Sequence, residues 1–103
     1  MIVQDIIDIM ESHFPEHLQE EWDKSGFQLG DRKQQVTKIM VGLDADLRTL
    51  NEAIEQGCNM LITHHPFLFN KLNLDFDTST GQFIQQAIMH HVAVYSAHTN
   101  LDK

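Results

Sequence analysis

Three short apolar runs set the limits on how this chain can fold. Val36 to Leu43 (VTKIMVGL), Met60 to Thr63 (MLIT) and Val92 to Ala97 (VAVYSA) are rich in apolar and β-branched residues. Each is too short for a buried helix, so strand is the reading that fits. The stretches between them keep helical spacing. Asp46 can cap a segment in which Leu47, Leu50, Ala53 and Ile54 share one face until Gly57 stops it. Ser79 and Gln82 form a capping box ahead of Phe83, Ile84, Ala87 and Ile88. Strands that alternate with helices and are apolar along their length predict an α/β architecture: a parallel or mostly parallel sheet with flanking helices. At 103 residues the chain is read as a single domain over 1–103.

An amphipathic helix precedes this unit, with Val3, Ile6, Ile7, Met10 and Phe14 on one stripe and Pro15 ending it. That stripe faces the core or an interface. Residues 16–21 can add a helical turn, and Trp22 to Gly30, with two glycines among polar residues, reads as a structured loop. Phe67 to Thr78 shows no period, and connections of that length are often functional.

Strands that run parallel bring their C-terminal ends to one edge, where ligands of open α/β sheets bind. Here the first run ends at Asp44, the second at His64, His65 and Pro66, and the third at His98 with Asp102 a short loop beyond. Imidazole and carboxylate suit zinc, manganese, iron, cobalt or nickel without choosing among them. Neighbouring strand residues face opposite ways, so His64 and His65 serve one ion only where the chain leaves strand geometry. Alternatively they face two neighbouring ions, with Asp102 as a natural bridge.

Other candidates have plainer readings. Asp44 is assigned to helping cap its helix. His90 and His91 end a helix, where imidazolium suits the dipole, and are read as surface residues. His13 and His17 flank Pro15 without a partner pattern. Cys58 opens an apolar strand and is read as a buried inert thiol, and Trp22 and Phe27 as core seals.

Fifteen acidic and seven basic side chains leave a formal charge of −8, which disfavours direct contact with nucleic acid or anionic lipid and favours cations. One cysteine excludes an intrachain disulfide and a thiolate zinc cluster, and points to a reducing, cytoplasmic setting. The start MIVQDIIDIM lacks a basic n-region and carries Asp5 and Asp8, unlike a signal peptide or membrane span.

Four segments, WDKSGFQLG (22–30), VGLDA (41–45), ITHHPFLF (62–69) and AHTNLD (97–102), together resemble the Ngg-interacting-factor-like family, whose bacterial members are called GTP cyclohydrolase I type 2 homologues. The resemblance implies an α/β fold with a di-metal centre in which His64, His65 and Asp102 are ligands and His98 is a weaker ligand or a proton-handling group. It places Trp22, Asp23 and Gly26 by the active-site region. It also implies that residues 1–103 are the N-terminal half of a larger fold, that a later histidine and glutamate complete the centre, and that members assemble as hexamers. Two functions compete: a metal-dependent hydrolase acting on a phosphate or nucleotide-like small molecule, and a non-catalytic metal-binding interaction or regulatory protein. The bacterial name suggests GTP, but no GxxxxGK[ST] phosphate loop occurs in the chain, which argues against GTP specificity.

Overall fold

The computed structural model describes residues 1–13, 26–65 and 75–97. Its elements are α1 (Val3–His13), β1 (Gly26–Leu29), β2 (Ile39–Asp44), α2 (Leu47–Glu55), β3 (Met60–His65), α3 (Ser79–Met89) and β4 (Ala93–Ser96). The strands form one sheet in the order β1-β4-β3-β2. Pairs β2/β3 and β3/β4 are parallel, whereas β1 runs antiparallel to β4. The fold is therefore α/β with a mixed sheet.

Strand alternation divides the sheet into two faces. On one, Leu61 and Val94 pack with Leu50 of α2 and Phe83, Ile84 and Ala87 of α3. On the other, Met60, Ala93, Tyr95 and Ala97 pack with Val3 and Ile7 of α1, and Ile6 and Met10 extend the contact. Each fully buried Val, Leu, Ile, Phe or Met among them contributes roughly 1.5–3 kcal/mol of transfer free energy. Cys58 is buried, as read from the sequence, and His90 and His91 are exposed. Phe27 packs against the α1 cluster with the Arg32 guanidinium 4.4 Å from its ring centroid.

Several boundaries differ from the sequence reading. The segment 22–30 reads as loop in the sequence, yet Gly26–Leu29 is a strand, because pairing with β4 outweighs the weak local signal of two glycines. β2 begins at Ile39 rather than Val36: the Asn59 side chain accepts from Thr37 N and donates to Gln35 O, occupying that backbone before the ladder starts. β3 runs through His65, the strand end read from the sequence, and β2 supplies a ladder partner as far as Asp44. The α3 cap is Thr78, whose Oγ1 accepts from Gly81 N at 3.0 Å, so the box of Ser79 and Gln82 does not form. Asp46 does cap α2, accepting from Thr49 N at 2.8 Å.

Both central helices end in the same Schellman motif. Cys58 N donates to Ala53 O at 2.9 Å around Gly57 (φ +76°), and Val92 N donates to Ala87 O at 2.9 Å around His91 (φ +55°). The second motif places a side chain in a left-handed position that favours glycine.

Edge strand β2 is unlike the other parallel strands. Ile39, Val41 and Leu43 lie on the α1 side of the sheet, and Val41 and Leu43 are 76% and 61% exposed.

Candidate metal-binding site

The parallel register of β2 and β3 runs from Ile39↔Met60 to Asp44↔His65. Each strand has six residues, so their polar ends coincide. Asp44 Oδ1 lies 2.6 Å from His65 Nδ1. This corrects the assignment of Asp44 as a helix cap: Asp46 holds that role, and Asp44, still in the ladder, sits across from His65. The pair is half exposed, with side-chain accessibilities of 52% and 45%, so it contributes at most about 1 kcal/mol to stability. Its larger effect is geometric. An ionised carboxylate only accepts hydrogen bonds, so His65 Nδ1 is the donor in this contact.

His64 belongs to the opposite face by alternation, yet its ring lies edge-on to that of His65, with centroids 5.2 Å apart and an interplanar angle of 64°. The two imidazoles thus share one sheet edge with strand geometry maintained through His65.

Beneath them lies a polar pair that sequence reasoning missed. Thr63 and Ser96 are 1% and 0% exposed, and their hydroxyls are 2.8 Å apart. Thr63 Oγ1 donates to His65 O at 2.7 Å, so its single proton is committed and Ser96 is the donor between the hydroxyls. Ala97 N donates to Thr63 O at 3.0 Å, which anchors the entry to the AHTNLD segment beside β3. In the same row Gly26 pairs with Ser96. Because β1 is antiparallel, its first residue lies at the edge where the other strands finish. That puts Gly26 at the same edge of the sheet as the histidines, two strands away.

Trp22, Asp23, His17, Phe14, the 16–21 turn, most of the 67–78 connection, His98 and Asp102 lie outside the described residues. Among the described residues no group of three or more His, Cys, Asp or Glu side chains gathers to hold a metal ion. The described part of the candidate site is His64, His65 and the Asp44 carboxylate on His65. Its nitrogen and oxygen donors suit a borderline divalent ion, and the two histidines share the edge toward which Ala97 leads.

The sequence model of the family described as Duf34/NIF3 (NGG1p interacting factor 3) matches residues 1–103. A Clostridium acetobutylicum protein named GTP cyclohydrolase 1 type 2 homolog is 46% identical over 101 residues, covering 97% of this chain and 38% of that protein. A protein of the same name from Clostridium perfringens is 41% identical and 39% covered. Among solved structures, a Staphylococcus aureus protein superposes with a TM-score of 0.92 at 36% identity, with 99% of this chain and 29% of that one covered. Reduced HcgD from Methanocaldococcus jannaschii gives 0.91 at 32%, with 99% and 41% covered. The chain thus spans well under half the length of these relatives.

Proposed function

Since the chain belongs to the Duf34/NIF3 family, we propose that its C-terminal sheet edge binds divalent metal through His64, His65 and Asp102, with His98 beside them. The observation that carries this reading is the adjacent imidazole pair with a carboxylate on His65 Nδ1. Hydrogen bonding of a ligating imidazole to a carboxylate is a common feature of metal sites.

The finer reading is a di-metal hydrolase acting on a phosphate or nucleotide-like substrate. Two bound ions would supply Lewis acidity at the reacting oxygen. In this reading His98 moves protons, and the buried Thr63–Ser96 pair keeps the two strand ends together so that the ligands hold their spacing. A screen with p-nitrophenyl phosphate and nucleoside triphosphates, with and without chelator, tests it. Chelator-sensitive hydrolysis lost in His65→Ala is the expected result, and hydrolysis that survives chelation refutes the mechanism.

The exposed apolar side of β2 favours a second component, self-association. Lys38 O accepts from Met60 N at 3.4 Å, so even-numbered β2 residues face β3 and the backbone groups of Ile39, Val41 and Leu43 face outward. An antiparallel pairing of two copies about Val41 sets Ile39 against Leu43 and Lys38 against Asp44, satisfying apolar and charge complementarity together.

A further inference from the structure

A cavity of about 260 Å3 opens at the sheet edge opposite the histidines, where β4 begins and β1 ends. Its floor is apolar, formed by Leu29 of β1, Ala87 of α3 and Val92 of the turn between α3 and β4. Ala87 and Val92 are 1% and 2% exposed, whereas Ile88 at the rim is 60% exposed although it shares the apolar stripe of Phe83, Ile84 and Ala87. The end of β1 lies close against β4 because residue 30 is glycine, at φ +130°: a Cβ there would come within 2.8 Å of Ala93 Cα. The walls are tied together by Gln34, whose Nε2 donates to His91 O at 2.6 Å and to Asn59 O at 3.3 Å. Both amide hydrogens are thus used, and what Gln34 has left to offer a ligand is an acceptor oxygen.

His91, which also lines the cavity, holds the left-handed position (φ +55°) of the turn that closes α3, where the matching turn after α2 uses Gly57. Side chains kept in such conformations concentrate at ligand sites. Asp31 supplies the charge. Among the described residues it is the one carboxylate lining the cavity, and no Lys or Arg lines it; the neighbouring Arg32 guanidinium is engaged by Phe27 and Gln4. Asp31 Oδ1 accepts from Lys33 N at 2.9 Å, so the carboxylate is fixed by its own turn. The volume exceeds the roughly 150 Å3 that admits a benzene ring. We propose that this cavity binds a small apolar amine about one ring in size, with the ring among Leu29, Ala87, Ile88 and Val92 and the ammonium group toward Asp31 and the Gln34 oxygen. The site lies at the other edge of the sheet from His64 and His65 and is independent of the metal-binding reading.

The test is a 1H–15N NMR titration of the whole chain, with chelator present, using benzylamine, benzyl alcohol and benzoate, which share a ring and differ in charge. Benzylamine is expected to shift the amides of Gly30, Asp31, Gln34, His91 and Val92 saturably, with a dissociation constant on the order of 1 mM. Benzoate is expected to bind at least about fivefold more weakly. Asp31→Asn weakens benzylamine by about 2–5-fold and leaves benzyl alcohol unchanged. His91→Gly weakens both by about 2–10-fold while its thermal midpoint rises, so weaker binding in that variant is not loss of fold. No saturable shift with benzylamine, equal affinity for the three probes, or shifts confined to other residues overturns the proposal. So does benzylamine binding that is unchanged in either variant. Shifts of the same amides with protein concentration alone would make the cavity an interface between copies and overturn it as well.

Discussion

Replacing Thr63 with Val removes one hydroxyl from the interior while nearly preserving side-chain shape. The residue is 1% exposed, and its oxygen both donates to His65 O at 2.7 Å and accepts from Ser96 at 2.8 Å. In Thr63→Val the His65 carbonyl loses its short donor. Among the described residues, the buried Ser96 hydroxyl is then left with that same carbonyl, at 3.5 Å, as its acceptor. An unsatisfied buried hydroxyl costs about 1–3 kcal/mol. Taking about 2 kcal/mol at roughly 4–8 °C per kcal/mol for a domain of this size, the midpoint of thermal unfolding falls by roughly 8–16 °C. Urea denaturation followed by circular dichroism should show a lower midpoint at unchanged slope. Adding Ser96→Ala removes the stranded partner, so the double variant is expected to be more stable than the sum of the single effects, with a coupling of about 1 kcal/mol. A Thr63→Val protein that melts within about 1 °C of wild type, or strictly additive effects, refutes the assignment of this pair as a coupled tie between β3 and β4.

Hydrogen bonds from the Thr49 backbone and side chain lower the pKa of Asp46 below its ordinary value, so its cap stabilises the fold above the usual carboxylate range and is lost as pH falls through the folded value. Asp46→Ala should cost about 1 kcal/mol at neutral pH, with the gap to wild type narrowing in acid when both are followed by urea titration. His91→Gly should raise stability by about 1 kcal/mol, because the left-handed C′ position disfavours a side chain; a loss of stability in thermal melts would count against strain there. Val41→Lys, introducing like charges at the centre of the β2 pairing, should convert a self-associated chain to monomer in light scattering, and a wild-type chain that is monomeric at high concentration removes the β2 dimer.

The parts of this architecture legible from sequence are those where local pattern and tertiary demand agree. The α2 cap at Asp46 and stop at Gly57 follow from residue chemistry alone, and the three parallel strands from apolar runs bounded by polar residues. β1 was hidden because Gly26 to Leu29 has little strand character until β4 provides a partner. Thr78 displaced Ser79 as the α3 cap by a single position, a boundary that two neighbouring hydroxyl residues leave ambiguous. At the candidate site, the gathering of strand ends was readable, and so was the presence of His64 and His65 at one edge. The Asp44–His65 contact is not legible from either residue's local sequence, because it joins two strands 21 positions apart through their register. The signal was nevertheless present: Asp44 and His65 each follow the start of their strands by the same number of residues, and a parallel register sets such positions side by side. The Thr63–Ser96 pair required that register as well.

The central claim, a divalent metal site built on His64, His65 and Asp102, is tested most directly by metal analysis after equilibrium dialysis of the purified chain against Zn2+, beside His65→Ala and Asp102→Ala. Zn2+ retained by wild type and reduced in both variants, with circular dichroism unchanged, is the predicted result. Equal metal content in all three proteins would contradict the ligand assignment.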